Sequence, residues 1–166
     1  MKNILIFLFT ISLYSLEPSE KKYYVAFAQD DFSNEYHSEQ LYRLKESLSL
    51  YPNIEFSYSD ANSSISMQIM QIEEFIMQGV DIIIISAFDE NITSKVIAQA
   101  YDYEVDIILI NKEINNSKYT SYIPNNDNNI TVMTNQMLDA VTEILFHKNE
   151  VKGVSKWKKR QKKYLS

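Results

Sequence analysis

The chain of 166 residues contains no cysteine and only two glycines. Without cysteine, disulfides, thiolate metal sites and cysteine nucleophiles are excluded. Nucleotide-binding α/β folds need glycine between a strand and the following helix, because the backbone must approach a phosphate closely. Neither Gly79 nor Gly153 lies in such a position. Dinucleotide-binding and P-loop functions are therefore excluded.

Histidine is also scarce, since His37 and His147 are the only two and lie far apart in the sequence. Both are expected on the solvated surface of helices rather than at a metal. A Ser-His-Asp set cannot be assembled from them around Ser86. We therefore expect no enzyme, no cofactor and no metal. A sugar-cleaving enzyme that uses Asp30 or Asp89 stays as a minor alternative.

Positive charge is scarce in the body of the chain and concentrated at its carboxyl end. Residues 17–150 contain 8 basic and 22 acidic residues. An acidic body argues against nucleic acid as the main partner. Residues 149–166 are predicted to form a disordered, solvated tail, with contact to anionic lipid or RNA as the alternative. The basic residues of this tail are Lys152, Lys156, Lys158, Lys159, Arg160, Lys162 and Lys163.

The first sixteen residues combine Lys2, an apolar stretch over residues 4–13 and Ser15. This order is typical of a secretory signal peptide and predicts export. Leu13 is bulky where cleavage favours a small residue, so a retained membrane anchor is the alternative.

Four apolar runs rich in β-branched residues each end abruptly in polar residues, and a helix-like segment follows each. They cover residues 23–31, 54–60, 80–89 and 105–112. This alternation predicts an α/β fold with a doubly wound, mostly parallel sheet of about five strands and helices on both faces. The fifth strand is expected at residues 120–123.

Helical periodicity fills the intervals at residues 34–51, 65–78 and 91–103, and again at 129–148. Ser63 or Ser64 can cap the second helix, and Gly79 can end it. Three methionines of that helix, Met67, Met70 and Met77, are expected in the core. The last helix has an apolar stripe composed of Ile130, Met133, Met137, Val141, Ile144 and Leu145.

The carboxyl ends of parallel strands form the edge where ligands bind in such sheets. Hydroxyls need directed hydrogen-bond partners, and the C–H faces of a polyol can rest on aromatic rings. The edge thus predicts a site for a small polyol. Phe32 lies there too, although Phe32 and Tyr36 can instead seal the first helix onto the sheet. The residues expected in this site are Gln29, Asp30, Asn34, Tyr36, Asp89, Asn111 and Lys112.

Five sequence segments resemble, in order, the amino-terminal lobe of type I periplasmic sugar-binding proteins. These proteins include ribose-type substrate-binding proteins of ABC importers and related sensor ectodomains of two-component kinases. The resemblance covers roughly residues 22–148 and implies a sugar-binding periplasmic protein. Its implied partners are an ABC importer permease or a membrane sensor kinase. The five segments are VAFAQDDFSNEYHSEQ, YPNIEFSYSDANSS, QIEEFIMQGVDIIIISAFDE, KVIAQAYDYEVDIILINKEI and YTSYIPNNDN.

Several site residues follow from this resemblance by position. Asn34 and Tyr36 correspond to an Asn-Pro-aromatic motif after the first strand. Asn111 and Lys112 correspond to an Asp-Arg pair after the fourth strand. Asp127 and Asn128 match an Asp-Asn pair at the crossover between lobes, and the resemblance implies that Asp127 binds ligand.

Two departures from the family pattern weaken the implied site. Glu35 stands where the motif has proline, which loosens the turn. Asn111 and Lys112 replace a carboxylate and a guanidinium, so bidentate, charge-assisted contacts to hydroxyls are lost.

The resemblance ends one helix into the second lobe. The expected organisation is a signal peptide at 1–16, an amino-terminal lobe at 22–125, a crossover helix of a missing lobe at 126–148, and the tail. In the family, two lobes close on the sugar. If such a two-lobed protein binds at micromolar affinity, half of its contacts correspond to millimolar affinity at best, so we expect weak or lost sugar binding. Helix 129–148 is expected to expose its apolar stripe and to self-associate. The alternative function is a ligand-sensing or protein-interaction module of a two-component system.

Overall fold

The computed structural model describes residues 21–114, 118–126 and 128–153, with the backbone alone for residues 149–153. The five strands are β1 (Tyr23–Gln29), β2 (Ile54–Asp60), β3 (Ile82–Ser86), β4 (Asp106–Ile110) and β5 (Ser121–Ile123). The four helices are α1 (Glu35–Ser49), α2 (Ile65–Gln78), α3 (Glu90–Asp102) and α4 (Ile130–Gly153).

All five strands are parallel and form one sheet in the order β2-β1-β3-β4-β5. The strand order reverses between β1 and β3, which places α1 on one face and α2 and α3 on the other. Every residue of β3 is buried, as expected for an interior strand covered on both faces. The predicted α/β fold with a doubly wound parallel sheet is confirmed.

The helix caps follow the sequence signals. Asn34 caps α1, Ser64 caps α2 and Asp89 caps α3, each through a side-chain oxygen that accepts a backbone N–H. Gly79 ends α2 at φ 71°, a left-handed conformation that favours glycine. The choice between Ser63 and Ser64 is thereby decided for Ser64.

The expectation that the three methionines of α2 lie in the core is wrong. Met67, Met70 and Met77 are all exposed. The helix covers the sheet with one side only, and helical spacing places these three positions on the outer side. Ile72 and Phe75 occupy the buried side instead.

The expectation that α4 exposes an apolar stripe is also wrong. The helix packs against α1 and the same face of the sheet, where it completes the hydrophobic core. Self-association through an exposed stripe therefore loses its structural basis. The helix also continues to Gly153, five residues beyond the predicted end. The buried stripe residues are Met133, Met137, Val141, Ile144 and Leu145.

A lysine near the end of α4 fixes that helix to the edge of the sheet where the strands begin. The Lys148 ammonium lies 2.7 Å from a carboxylate oxygen of Asp106 and donates to the Asp81 carbonyl at 3.0 Å. The helix therefore runs the full height of the lobe. Within the described residues, no helix combines the length and apolar character needed to cross a membrane. The predicted signal peptide and residues 154–166 of the predicted tail lie outside the described residues.

Candidate functional site

A groove of about 550 Å³ lies at the carboxyl edge of the sheet. Its walls come from the ends of β1, β3 and β4, the start of α1 and the segment after β5. The lining residues are Asp30, Asn34, Tyr36, His37, Ser86, Asn111, Lys112, Asn125 and Asn128.

A chain of hydrogen bonds joins three neighbouring strand ends beneath the groove. The Gln29 amide nitrogen and the Ser86 hydroxyl both donate to Oδ1 of Asp30, at 2.7 and 3.1 Å. The Asn111 amide nitrogen donates to the Ser86 hydroxyl at 3.0 Å. These four side chains hold one another in fixed orientations.

The direction of these bonds determines what the groove offers to a ligand. The Asp30 carboxylate accepts only, so the single hydroxyl hydrogen of Ser86 points to it. Ser86 must then accept from Asn111, which turns the other amide atom of Asn111, Oδ1, away from the network. Within the described residues, Asn111 Oδ1 and Gln29 Oε1 are buried acceptors with no hydrogen-bond partner. Of these two residues, Asn111 lines the groove beside the Asp30 carboxylate, and Gln29 lies beneath it.

The start of α1 forms one wall of the groove. Oδ1 of Asn34 accepts from the backbone N–H of His37 at 2.7 Å. The His37 ring nitrogen Nδ1 lies 2.6 Å from the Asp31 carbonyl oxygen, so Nδ1 must carry the hydrogen. The prediction for His37 was incomplete, since this ring is half-buried and lines the groove. His147 lies exposed on α4, as expected.

Hydrogen bonds join the loop after β1 to the loop after β2 at the edge of the groove. The Asp31 carboxylate accepts from the backbone of Ser33 and from the hydroxyl of Ser63. The Ser63 backbone N–H also donates to the Asp30 carbonyl at 2.9 Å. Hydrogen bonds from Ser33 and Ser63 lower the pKa of Asp31 to about 2. The loop after β1 is thus held to the loop after β2.

On the opposite wall, the backbone of Asn111 adopts the left-handed conformation, with φ 65°. Asparagine tolerates this region better than most residues. The Lys112 ammonium reaches across to the Phe88 carbonyl at 3.2 Å. Asn125 and Asn128 also line the groove, and two reciprocal hydrogen bonds of 3.1 Å join them.

The structure brings together five of the predicted site residues, because Asp30, Asn34, Tyr36, Asn111 and Lys112 all line the groove. Gln29 and Asp89 lie elsewhere, as the following contacts show.

Gln29 is fully buried beneath the groove and supports Asp30. Asp89 is outside the lining, because its Oδ1 caps α3 by accepting from Asn91 and Ile92 at 2.9 and 2.8 Å. Asp127 lies outside the described residues.

Phe32 takes the structural role that was its alternative. Its ring packs edge-on against Phe27 and Tyr58, with centroid distances of 5.8 and 6.0 Å. The ring thus seals the end of β1 against the core.

Four lining residues were not among the predicted ligand-binding residues, namely His37, Ser86, Asn125 and Asn128, although Asn128 belongs to the matched Asp-Asn pair. A sequence signal existed for Ser86, which is the one polar residue of the buried strand IIIIS. A run of asparagines after β5 was a weaker signal. Among the described residues, no group of three or more His, Asp or Glu could hold a metal ion.

Comparisons with known proteins agree on the fold. A family model described as "Periplasmic binding protein domain" matches residues 25–144. The fructose-binding periplasmic domain of a hybrid two-component system is similar, with TM-score 0.59, 24% identity, and 61% of this chain and 33% of that chain covered. No curated protein sequence matches the chain.

Two inositol-bound structures are similar as well. An ABC transporter solute-binding protein from Bacillus halodurans with bound myo-inositol gives TM-score 0.57 and 24% identity, covering 61% of this chain and 36% of that chain. The Caulobacter myo-inositol binding protein gives 0.58 and 16%, covering 66% and 37%. The chain spans about a third of the length of these structures.

Proposed function

Since this chain belongs to the periplasmic binding protein domain family, we propose that its groove binds a sugar or similar small polyol in the periplasm. The observation that carries the proposal is the buried Asn111 Oδ1, an acceptor with no partner among the described residues. A buried polar atom without a partner is unfavourable by about 1–3 kcal/mol. A ligand hydroxyl can donate to this atom and remove that penalty.

The other groups of the groove suit the same ligand class. The Asp30 carboxylate adds a charged acceptor beside Asn111, and the Lys112 ammonium adds a donor. A hydroxyl both donates and accepts, so neighbouring hydroxyls of one polyol can use both kinds of group. The ring of Tyr36 lies in the same wall and offers an apolar face to C–H groups.

We propose that binding is weak. The groove is open to solvent along the edge of one lobe, so its contacts supply only part of what two closed lobes supply. If a two-lobed protein binds at micromolar affinity, half of that free energy corresponds to millimolar affinity. The replacement of an Asp-Arg pair by Asn111 and Lys112 acts in the same direction.

Isothermal titration of pentoses, hexoses and inositols against the protein tests the proposal. Asn111→Gly removes the unpartnered acceptor and tolerates the left-handed backbone at φ 65°, and it should weaken binding at least tenfold. Asn135→Ala, an exposed change on α4, is the matched control and should bind as the original chain does. If none of these polyols binds at concentrations up to roughly 50 mM, the proposed function is overturned. Binding far below millimolar would overturn the weak-affinity part.

The alternative is that the same groove serves a ligand-sensing module. It is favoured by the likeness to the fructose-binding periplasmic domain of a hybrid two-component system. The two proposals share the ligand and differ in the partner, which is a sensor kinase in one case and an ABC importer permease in the other. Cross-linking in membranes that contain both classes of partner distinguishes them.

A further inference from the structure

The loop between β2 and α2 contains a motif that the groove does not use. Residues 60–64 read Asp-Ala-Asn-Ser-Ser, so the hydroxyl of Ser64 follows Asn62 by two positions. Asparagine with serine or threonine at that spacing is the acceptor motif for N-linked glycan in exported proteins. Asp60 places an acid two positions before the asparagine.

The same spacing of acid, asparagine and hydroxyl occurs four times in the chain. It covers residues 60–64, 89–93, 113–117 and 127–131, so each asparagine that has serine or threonine two positions after it also has an acid two positions before it. Acids make up 22 of the 166 residues, roughly one in eight, so composition alone does not account for an acid at all four places. Only the first two stretches lie wholly within the described residues.

In the first stretch, Asn62 is accessible to an enzyme. Its side chain is exposed, and among the described residues no hydrogen bond occupies its amide nitrogen. The hydroxyl of Ser64 belongs to a half-buried residue, and its hydrogen bond from the backbone N–H of Met67 is long, at 3.4 Å. Asp60 is also half-buried, and its Oδ1 accepts from the backbone N–H of Asn62 at 2.8 Å.

The backbone of this turn favours rearrangement in an enzyme. Asn62 and Ser63 both adopt the left-handed conformation, with φ 48° and 58°. Residues other than glycine adopt it at a cost in free energy, and here two do so in succession. A change of conformation at this turn therefore releases strain, which offsets part of the cost of breaking the hydrogen bonds of Ser63.

In the second stretch, the fold closes the same motif. Asn91 is exposed but lies in the first turn of α3, and Thr93 is fully buried, including its hydroxyl. Oδ1 of Asp89 accepts from the backbone N–H groups of Asn91 and Ile92. An enzyme that contacts both the acid and the hydroxyl would have to unwind the start of α3. The structure therefore separates two motifs of identical spacing.

We propose that Asn62 is a site of N-linked glycosylation in the folded protein, with a polyprenyl-pyrophosphate-linked oligosaccharide as the donor. The amide nitrogen of Asn62 forms a bond to C1 of the first sugar, and the bond from C1 to the pyrophosphate oxygen breaks. The pyrophosphate leaves with that electron pair, and the amide nitrogen gives up one proton to a base of the enzyme.

The acid of the motif indicates the kind of enzyme. A basic side chain recognises a carboxylate through a charge-assisted hydrogen bond, so we expect the oligosaccharyltransferase to pair an arginine or lysine with Asp60. This proposal rests on the periplasmic location proposed above and not on polyol binding. Glycan transfer is measured without a polyol, so its outcome is independent of the isothermal titration.

Glycan transfer to the folded full chain tests the proposal. The chain is incubated with an oligosaccharyltransferase that requires an acid two positions before asparagine, and with its polyprenyl-pyrophosphate oligosaccharide. Peptide mapping by mass spectrometry should show glycan on Asn62 and at least tenfold less on Asn91. An unmodified Asn62 overturns the proposal. Equal occupancy of the two sites also overturns it, because the fold then selects neither.

Synthetic peptides of residues 58–66 and 87–95 give the comparison without the fold. Both contain the acid, the asparagine and the hydroxyl at the same spacing, so both should accept glycan to within severalfold of each other. Failure of peptide 58–66 overturns the proposal. If peptide 87–95 is as poor an acceptor as Asn91 in the folded chain, burial of Thr93 is not what excludes that site, and the structural selection is overturned.

Variants of the folded chain test the motif itself. Ser64→Asp removes the hydroxyl but keeps a residue favoured as the N-cap of α2, and it should abolish transfer while circular dichroism stays unchanged. Ser64→Thr keeps both hydroxyl and cap and should retain transfer. Asp60→Asn should lower transfer at least tenfold. Asn135→Gln changes an exposed asparagine outside the motif and is the control, with unaltered occupancy of Asn62. Full transfer to Ser64→Asp or to Asp60→Asn overturns the proposal.

Discussion

The Asn111 side-chain amide donates to the Ser86 hydroxyl across 3.0 Å, and this bond joins the ends of β4 and β3. The Ser86 hydroxyl in turn donates to Asp30, 3.1 Å away at the end of β1. One buried hydroxyl thus sets the direction of hydrogen bonding over three strands. The orientations of the Asp30 and Asn111 side chains in the groove therefore depend on Ser86, a residue with little exposed surface of its own.

Ser86→Ala should therefore weaken polyol binding, although the change removes only one oxygen atom. The change leaves the Asn111 amide without its acceptor and Asp30 with one donor fewer, so both side chains can turn. We expect roughly tenfold weaker binding by isothermal titration and a loss of about 1–2 kcal/mol in the free energy of unfolding. Ser57→Ala, on the exposed edge strand β2, is the control and should change neither quantity. Retained affinity in Ser86→Ala would show that the network does not orient the groove.

Asp31 gives the protein a defined sensitivity to acid. Its folded-state pKa of about 2 lies below the ordinary value of 3.8, because Ser33 and Ser63 donate to the carboxylate. The resulting stabilisation is complete above the ordinary value and is lost as pH falls through the folded value. Urea unfolding from pH 5 to pH 2 should show a decrease in stability over this window.

Asp31→Asn is the variant that isolates this effect, since an amide at position 31 does not titrate. The variant should lose less stability than the original chain between pH 4 and pH 2. Identical pH profiles for the two proteins would show that other carboxylates account for the acid sensitivity. Asp139→Asn, on α4, is the control for removal of one negative charge.

The role of Asp89 is a structural one that can be separated from binding. Its carboxylate caps α3 through two backbone hydrogen bonds and does not line the groove. Asp89→Ala should lower the free energy of unfolding by about 1 kcal/mol, whereas Asp89→Ser should recover most of it. Polyol affinity should stay the same in both variants. Reduced polyol affinity in Asp89→Ser would instead show that Asp89 takes part in ligand binding.

The sequence allowed the architecture to be predicted because its signals are local. Apolar runs such as IIIIS and caps such as Ser64 specify strands and helix ends directly. The carboxyl edge of the sheet followed from topology, and it brought Asp30, Asn111 and Lys112 together as expected. Periodicity could not distinguish a cap from a ligand contact at Asp89, since both uses favour a carboxylate in the same place.

The partner of a buried face was harder to predict. The stripe on α4 was recognised, yet periodicity does not say which surface covers it. The structure covers it with α1 and the sheet of the same lobe, including Leu44 and Ile84. The reverse error occurred in α2, where an apolar residue such as Met77 was assigned to the core without regard to its side of the helix.

Packing of α4 on its own lobe leads to the last prediction. Met137 is fully buried among α1 and sheet residues, so Met137→Ala should leave a cavity and lower the free energy of unfolding by about 2–5 kcal/mol. Phe146→Ala removes a larger but exposed side chain from the same helix and should change stability by less than about 0.5 kcal/mol. Urea unfolding monitored by circular dichroism measures both. If α4 instead stood free of the lobe, the two variants would unfold like the original chain, and sedimentation would show self-association through the uncovered stripe.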